Sequence, residues 1–133
     1  MALSKDRNTP YKDAEIISAP VAADAKIYAG ALVVANATGY AEPGSTATTL
    51  TYLGRAEEQV DNTDGADGAK SVLVRRGKAF KFLNSGTDAV TQASLGKACY
   101  IVDDQTVAAT SGTSTRSQAG IVLGVESDGV WVL

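Results

Sequence analysis

The clearest strand signal in the sequence is Ser71-Val72-Leu73-Val74-Arg75-Arg76-Gly77-Lys78-Ala79-Phe80-Lys81-Phe82. Every second residue of a β-strand lies on the same face, so residues of one parity should face the core together. The apolar residues that share this parity are Val72, Val74, Phe80 and Phe82. Arg76 and Lys78 have the same parity and interrupt the apolar face, which predicts a bulge or bend near Gly77.

Short apolar and β-branched segments separated by turn residues continue on both sides of this stretch, a pattern typical of an all-β domain. Asn36-Ala37-Thr38-Gly39 is a predicted turn, and Glu126-Ser127-Asp128-Gly129 is a predicted hairpin turn between two apolar segments. The only helix candidate runs from Thr87, as its N-cap, to Leu95, just before Gly96. The residues expected to contribute to the core are Val72, Val74, Phe80, Phe82, Ile101, Ile121, Leu123 and Trp131.

The first nineteen residues differ from the rest of the chain because they mix charged residues with few large apolar ones. Pro10 prevents a helix from forming across them. They predict an extended N-terminal arm over residues 1–19, followed by one β-domain over residues 20–133. A frayed terminus without a role is the alternative interpretation. The arm residues expected to contact a partner are Leu3, Lys5, Arg7, Tyr11, Ile16 and Ile17.

Composition and charge argue against several classes of function. A chain of 133 residues with 44% hydrophobic residues suits one domain, and no apolar run approaches the roughly 20 residues of a membrane span. The net charge of −3 lacks the positive field that binds nucleic-acid phosphates. Lys5, Asp6 and Arg7 place charges where a signal peptide would be apolar. We therefore expect synthesis in a cytoplasm, with neither nucleic acid nor a membrane as a partner.

The residue types present also limit the available chemistry. The chain has no histidine and one cysteine, Cys99, so it cannot assemble Ser/His/Asp or Cys/His catalytic sites or a zinc site of Cys and His ligands. Cys99 lies in an apolar run and is expected to be a buried thiol. The acidic pairs Glu57-Glu58 and Asp103-Asp104 are the only candidates for carboxylate catalysis, although solvated turn or edge positions are the commoner use of such pairs. Only chemistry based on carboxylates, lysine or tyrosine remains available.

The turn-rich loop over residues 61–68 contains three aspartates, Asp61, Asp64 and Asp67. An EF-hand loop spaces its ligands differently and ends on a bidentate glutamate, where this chain has Val72. A looser calcium site of carboxylates and carbonyls stays open, but Asp-Gly loops are mostly simple turns.

The only concentration of positive charge is the basic cluster Arg75, Arg76, Lys78 and Lys81. On a strand it would offer a local positive patch that docks on an acidic partner surface. Strand-edge charges that prevent aggregation are an equally good interpretation. Under the first interpretation, Arg75, Arg76 and Lys78 join the candidate partner-binding residues of the arm.

Several short strings occur in one order from Ile27 to Val132, and their combination is more specific than any one of them. They are Ile27-Tyr28-Ala29-Gly30-Ala31-Leu32-Val33, Gly39-Tyr40-Ala41, Asp61-Asn62-Thr63, Ala69-Lys70-Ser71-Val72, Val74-Arg75-Arg76-Gly77, Asp88-Ala89-Val90-Thr91, Gly96-Lys97-Ala98-Cys99-Tyr100-Ile101-Val102-Asp103-Asp104-Gln105-Thr106-Val107, Thr115-Arg116-Ser117, Ala119-Gly120 and Asp128-Gly129-Val130-Trp131-Val132. Together they resemble the capsid cement proteins, or head decoration proteins, of tailed phages and prophages. The likeness runs from about Val21 to the end, and the first twenty residues match least.

The resemblance implies a structural virion protein that binds the outer surface of a phage capsid and stabilises it, with no cofactor and no catalytic residue. The expected partners are the major capsid protein and other copies of the chain, with a trimer favoured over a dimer. The expected location is the virion, after synthesis in the host bacterial cytoplasm. The expected fold is all-β: a small single-domain β-barrel or sandwich, β-tulip-like, with an extended N-terminal arm and at most one or two short helices.

Two other classes of function stay open. One is a small β-sandwich that binds carbohydrate or acts in adhesion, although the aromatic residues are scattered along the chain rather than clustered. The other is a β-domain enzyme that uses carboxylates alone.

Overall fold

Twelve β-strands and one 3₁₀ turn form the protein, whose computed structural model describes all 133 residues. The fold is all-β, as the alternation of short apolar segments and turns predicts. The strands divide into a five-stranded sheet, a closed barrel and a two-stranded ribbon. None of the helical segments has the length and apolarity that a membrane crossing requires.

The five-stranded sheet is antiparallel throughout. From one edge to the other it contains β1 (Ile16–Pro20), β7 (Ser71–Arg75), β5 (Thr51–Ala56), β3 (Leu32–Ala35) and β4 (Ala41–Pro43). The ribbon pairs β2 (Lys26–Ile27) with β6 (Val60–Asp61). Because β1 is an edge strand, the backbone groups on its outer side have no neighbouring strand.

The barrel consists of five strands that close on themselves. In order around the wall they are β10 (Thr106–Ala108), β8 (Phe80–Asn84), β12 (Gly129–Val132), β11 (Gln118–Glu126) and β9 (Ala98–Ile101). The pair β10–β8 is parallel, and the other pairs are antiparallel. Closure leaves this half of the protein without a free strand edge. The barrel alternative of the predicted fold class is therefore the correct one.

The stretch from Ser71 to Phe82 crosses from the sheet to the barrel. β7 ends at Arg75 and β8 begins at Phe80, and between them Gly77 has a φ of 72°, which residues with a side chain rarely adopt. The predicted bend near Gly77 is confirmed. The crossing divides the four apolar residues of this stretch between two cores: Val72 and Val74 under the sheet, Phe80 and Phe82 inside the barrel.

Each sheet has its own hydrophobic cluster, and β3 joins the two because Val33 faces one cluster while Leu32 and Val34 face the other. The sheet cluster consists of Ala19, Val21, Ile27, Ala31, Val33, Ala41, Ala56, Val60, Val72 and Val74. The barrel cluster consists of Leu32, Val34, Phe80, Phe82, Val90, Cys99, Ile101, Val107, Val122, Val130 and Val132. Because β3 contributes side chains to both clusters, the sheet and the barrel form one domain.

Cys99 lies fully buried in the barrel cluster, as its apolar surroundings in the sequence predict. Its Sγ is 3.6 Å from the carbonyl oxygen of Gly120. Burial raises the pKa of this thiol to about 11, because the thiolate would lose its hydration there. The thiol is therefore neutral and packs as a small apolar group.

Two residues expected in the core, Ile121 and Leu123, instead lie on the outside of the barrel, where they are 40% and 50% exposed. β11 and β12 pair Val122 with Val132, and both are fully buried, so the residues next to them face outward. An irregularity of register directly after Val122 lets Leu123 and the following glycine both face out. The other expected core residues are buried, apart from the half-buried Trp131: Val72, Val74, Phe80, Phe82 and Ile101.

The two predicted turns are confirmed. The side-chain oxygen of Asn36 accepts hydrogen bonds from the backbone N–H groups of Thr38 and Tyr40, at 3.0 and 3.1 Å. This is the usual way in which asparagine stabilises a tight turn, here between β3 and β4. The second turn joins β11 to β12 through only two residues, Ser127 and Asp128.

The predicted helix from Thr87 to Leu95 is wrong, because only Gln92–Ser94 forms a 3₁₀ turn, preceded by Thr91. The side chain of Asn84 both accepts from the N–H and donates to the carbonyl of Val90, each at 2.8 Å. These bonds occupy backbone groups that a helix would need. The segment is therefore irregular, anchored to the end of β8.

The sheet includes the end of the predicted arm. β1 begins at Ile16, so residues 16–19 belong to the β-domain and the exposed arm comprises residues 1–15. Ile17 and Ala19 lie opposite β7 and pack on the sheet cluster. Ile17 and Ala19 alternate with the exposed residues Ile16, Ser18 and Pro20, which is the period of a half-buried strand. The charged residues before β1 masked this pattern in the sequence.

We expect Phe80→Ala to lower the free energy of unfolding by about 3–5 kcal/mol, because it leaves a cavity in the barrel core. Phe80 is only 9% exposed, and its ring centre lies 6.4 Å from that of Phe82. Equilibrium urea denaturation measures the difference. Leu83→Ala is the control, since Leu83 is 48% exposed on the same strand and should cost less than about 1 kcal/mol. Equal midpoints for the two variants would contradict this assignment of the core.

Candidate functional site

The N-terminal arm, residues 1–15, is exposed along its whole length and forms no strand or helix. Its first fourteen residues make no hydrogen bond or ion pair with the domain. Of the candidate partner residues, Leu3 is 75% exposed and Tyr11 is 97% exposed, and Lys5 and Arg7 are exposed as well. A partner that covers these apolar side chains removes them from water, and this burial contributes favourably to the free energy of binding.

The arm joins the domain at the edge of the five-stranded sheet. The backbone N–H of Arg76 donates to the carbonyl oxygen of Glu15 at 2.7 Å, and Lys78 Nζ lies 3.7 Å from the Glu15 carboxylate. Ile16 is 41% exposed, whereas much of the Ile17 side chain is already covered by the sheet cluster. The arm therefore leaves the domain beside two of the candidate basic residues.

Glu57 neutralises the first residue of the basic cluster. Arg75 Nε lies 2.9 Å from the Glu57 carboxylate, and Arg55 on the neighbouring strand donates to the same carboxylate. The hydrogen bond from Arg75, and then that from Arg55, holds the pKa of Glu57 below its ordinary value. The same contact raises the pKa of Arg75. Arg75 is therefore engaged within the sheet surface.

The other three basic residues of the cluster differ in the ion pairs that they form within the protein. Lys81 Nζ lies 2.8 Å from Asp128, and this hydrogen bond raises the pKa of Lys81 and lowers that of Asp128. Lys78 keeps 53% of its side chain exposed and has only the longer contact with the arm. Arg76 makes no ion pair. The predicted positive patch is thus reduced to Arg76 and Lys78, next to the base of the arm.

Arg76 and Lys78 line a hollow of about 240 Å³ at the seam between the sheet and the barrel. Tyr52, Phe80 and Leu133 form part of its wall. The Tyr52 hydroxyl is buried without a hydrogen-bond partner, and burial raises its pKa. The hollow combines two cationic side chains with an apolar wall, so it is suited to a group that is both anionic and apolar.

A second hollow, of about 400 Å³, lies where the turn after β2 meets the turn before β10. Tyr28, Asp104 and Gln105 contribute polar side chains to its wall, and none of the three side chains hydrogen bonds within the protein. The ammonium of Lys26 lies 5.0 Å from the centre of the Tyr28 ring and holds it in place. An aromatic ring beside a free carboxylate and a free amide is suited to a small polar ligand.

The aspartates of the loop over residues 61–68 do not converge on one point. Asp61 accepts from a threonine two residues further on, and Asp67 accepts from a backbone N–H before β2. Nowhere do three or more Cys, Asp or Glu side chains come together as a group that could hold a metal ion. The buried Asn62 organises this loop instead, because its side-chain amide donates to two backbone carbonyls.

The acidic pairs considered for carboxylate chemistry serve local structure. Glu57 is held by two arginines, and Glu58 accepts from the backbone N–H of Leu73 at 3.3 Å. Asp103 accepts from the backbone N–H of Gln105 at 2.9 Å, which stabilises the turn before β10. These partners account for three of the four carboxylates without a reaction.

Sequence reasoning missed one surface, which we call the outer barrel face. Its members lie on or directly after β11 and β12: Ile121, Leu123, Trp131 and Leu133. The available signal was the run Ile121-Val122-Leu123, which is apolar at both parities. Such a run indicates a strand with apolar residues on both faces, not only on the face toward the core.

Comparison with known proteins gave no match: no family model, no curated protein and no solved structure is significantly similar to this chain. The likeness to capsid cement proteins therefore depends on the short sequence strings alone. The candidate functional features of the molecule are the arm, the basic residues at its base, the two hollows and the outer barrel face.

We expect the carboxylate of Glu57 to titrate below 4.5, the ordinary value, because Arg75 and Arg55 stabilise its ionised form. A pKa lowered on folding means that the ion pair stabilises the fold above the unfolded pKa, and that this contribution is lost as the pH falls through the folded pKa. Glu57→Gln should therefore flatten the acid limb of the stability curve. Carboxyl NMR titration and urea denaturation across acid pH measure the two effects.

Glu58→Gln is the matched control for this experiment, since it removes a neighbouring carboxylate that makes no ion pair. Its acid limb should follow that of the unchanged protein. A midpoint for Glu57 at or above 4.5 would contradict the expected ion pair.

Proposed function

We propose that this protein binds the outer surface of a tailed-phage capsid and stabilises it, as a decoration protein of the virion. The observation that supports this most directly is the exposed arm, residues 1–15, which continues into the edge strand β1. The protein would be made in the host bacterial cytoplasm and act with the major capsid protein and further copies of itself. This role needs no cofactor and no catalytic residue.

The arm has the reach and the contact groups for such a surface. Extended chain spans about 3.3 Å per residue, so an arm of this length reaches roughly 50 Å from the domain. Leu3 and Tyr11 provide two exposed apolar anchors along it. A segment that becomes ordered on binding covers a wide surface at a modest affinity per contact.

The edge of β1 offers a docking geometry for the base of the arm. An extended capsid segment would pair with its free backbone groups and lengthen the sheet by one strand. Arg76 and Lys78 lie at this edge through their contacts with Glu15. Acidic groups on the capsid would pair with these two cations and orient the domain.

The charged side chains of the arm balance each other. The arm carries three basic and three acidic side chains: Lys5, Arg7, Lys12, Asp6, Asp13 and Glu15. With no net charge from these side chains, long-range attraction to a charged capsid is weak. Retention should therefore depend mainly on the apolar anchors.

Binding of this kind stabilises a capsid by mass action. A protein that binds only the assembled shell lowers the free energy of that shell relative to its broken or dissociated states. Many copies on one symmetric lattice add their contributions. The resemblance of the sequence strings to capsid cement proteins supports the same role.

We expect deletion of Ala2–Ala14 to leave the Tm of the domain unchanged and to weaken retention on capsids at least tenfold. The deleted residues make no hydrogen bond or ion pair with the domain, whereas Glu15 and its bonds to Arg76 and Lys78 are kept. Co-sedimentation with shells of the major capsid protein of the same phage, at low concentrations of the decoration protein, measures retention.

Two full-length double variants separate the anchors from the charges in this experiment. Leu3→Ser with Tyr11→Ser should lose most of the binding, while Lys5→Ser with Arg7→Ser should lose little. Retention of the truncated protein equal to that of the full chain would show that the arm is passive. Failure of the full chain to bind any shell would refute the proposed function.

The hollow lined by Tyr28, Asp104 and Gln105 favours a second candidate function, binding of a cell-surface carbohydrate. An aromatic ring packs on the apolar face of a sugar, and the free carboxylate and amide are placed to accept and donate hydrogen bonds to its hydroxyls. The half-exposed Tyr28 ring is already held by Lys26. Little ordering would then accompany binding.

For this second function, a glycan array should show binding that is lost in Tyr28→Ala and in Asp104→Asn. Tyr11→Ala is the control, because Tyr11 is an exposed tyrosine of the arm, outside the hollow. Binding that survives Tyr28→Ala would place any glycan site elsewhere, and no binding to any glycan would refute this function.

A further inference from the structure

The outer barrel face presents four large apolar side chains side by side on two paired strands. Ile121 and Leu133 are joined by two backbone hydrogen bonds of 2.9 Å each, so their side chains lie next to each other. Leu123 and Trp131 lie further along the same strands. Leu123 and Leu133 are 50% and 48% exposed. Contiguous apolar groups on a soluble protein mark an interaction site.

One end of this face is cationic. Leu133 shares the 240 Å³ hollow with Arg76 and Lys78, so both cations border the apolar surface there. Glu15 lies 3.7 Å from Lys78 and offsets one of them. Among the side chains at this end, two cations against one carboxylate leave one net positive charge.

The other end of the face is acidic. The hairpin turn between β11 and β12 brings Glu126 and Asp128 to Lys81, at 3.5 and 2.8 Å. Two carboxylates against one ammonium leave one net negative charge. β12 separates the two ends by about 13 Å, at roughly 3.3 Å per residue.

We propose that a second copy of the chain docks on the outer barrel face, about a twofold axis that lies in the interface and runs perpendicular to β11 and β12. This rotation reverses the strand direction, so the cationic end of one copy meets the acidic end of the other. The apolar side chains of the two copies then cover each other. A twofold axis parallel to the strands would bring like charges together at both ends.

A second copy fits this surface because a face with one cationic and one acidic end is complementary to itself. The barrel is closed, so its backbone hydrogen bonds are satisfied and the contact forms through side chains, not through strand addition. The inference goes beyond the proposed function, since two free copies associate whether or not a capsid is present. It gives a dimer, whereas the resemblance to capsid cement proteins favours a trimer over a dimer.

The variant Leu123→Lys tests the face, with Leu73→Lys as the matched control. Both leucines are half-exposed, at 50% and 42%, and they lie on the barrel and on the five-stranded sheet respectively. Neither change should unfold the protein, which circular dichroism and Tm verify. Sedimentation equilibrium of the full chain without capsids should show a dimer for the unchanged protein and for Leu73→Lys, and association at least tenfold weaker for Leu123→Lys.

Charge reversal tests the orientation. Lys78→Glu and Glu126→Lys should each weaken the dimer about tenfold at low salt, and the double variant should recover most of the loss because the exchanged charges meet across the interface. Asp128 keeps its bond to Lys81 in all three proteins, so the hairpin turn is preserved.

Several results would overturn this proposal. They are an unchanged protein that stays monomeric at high concentration or forms a trimer, equal association of Leu123→Lys and Leu73→Lys, and a double charge variant without recovery. Loss of capsid retention by Leu123→Lys, with a monomeric unchanged protein, would assign the face to the capsid instead. Failure of the arm deletion to affect retention would refute the capsid role of the arm and leave the dimer standing.

Discussion

Closure of the barrel is the constraint on which the other features depend. Each of its five strands sends alternate side chains into one small interior, which accepts valines, two phenylalanines and a buried thiol. Once Val122 and Val132 face each other inside, Ile121 and Leu133 have to face outward. The chain enters this barrel from β7 through the bend at Gly77, which also sets where the sheet and the base of the arm attach.

The five-stranded sheet and the arm differ in how many of their charged and apolar groups stay free to contact a partner. On the sheet, Glu57 holds Arg75 and Arg55 in part-buried ion pairs, which remove charge that a partner would otherwise meet. The arm, by contrast, makes no hydrogen bond or ion pair with the domain before Glu15. The protein thus pairs several charges on the surface of its rigid domain, and its free apolar groups lie on an extended segment and on the outer barrel face.

Local signals predicted the parts of the fold that local chemistry determines. Asn36 and the Ser127-Asp128 turn form hairpins because short polar side chains and two-residue loops have few other arrangements. The bend at Gly77 was predictable because Arg76 and Lys78 interrupt a series of apolar residues that share one strand face. The helix prediction failed because Asn84, outside the segment, takes the backbone groups of Val90. Ile121 and Leu123 face outward because the pairing of β11 with β12 buries Val122 between them. Arg75 pairs with Glu57, eighteen positions away. No local pattern contains either contact.

The burial of Cys99 has a practical consequence for motion in the barrel. The thiol is the only one in the chain, it has no exposed surface, and its raised pKa keeps it neutral at ordinary pH. A thiol reagent therefore reaches it only when the barrel opens locally, so the labelling rate reports the free energy and the kinetics of that opening. Because the arm and the sheet carry no thiol, the signal belongs to the barrel alone and follows how tightly this half of the molecule is held in any assembly.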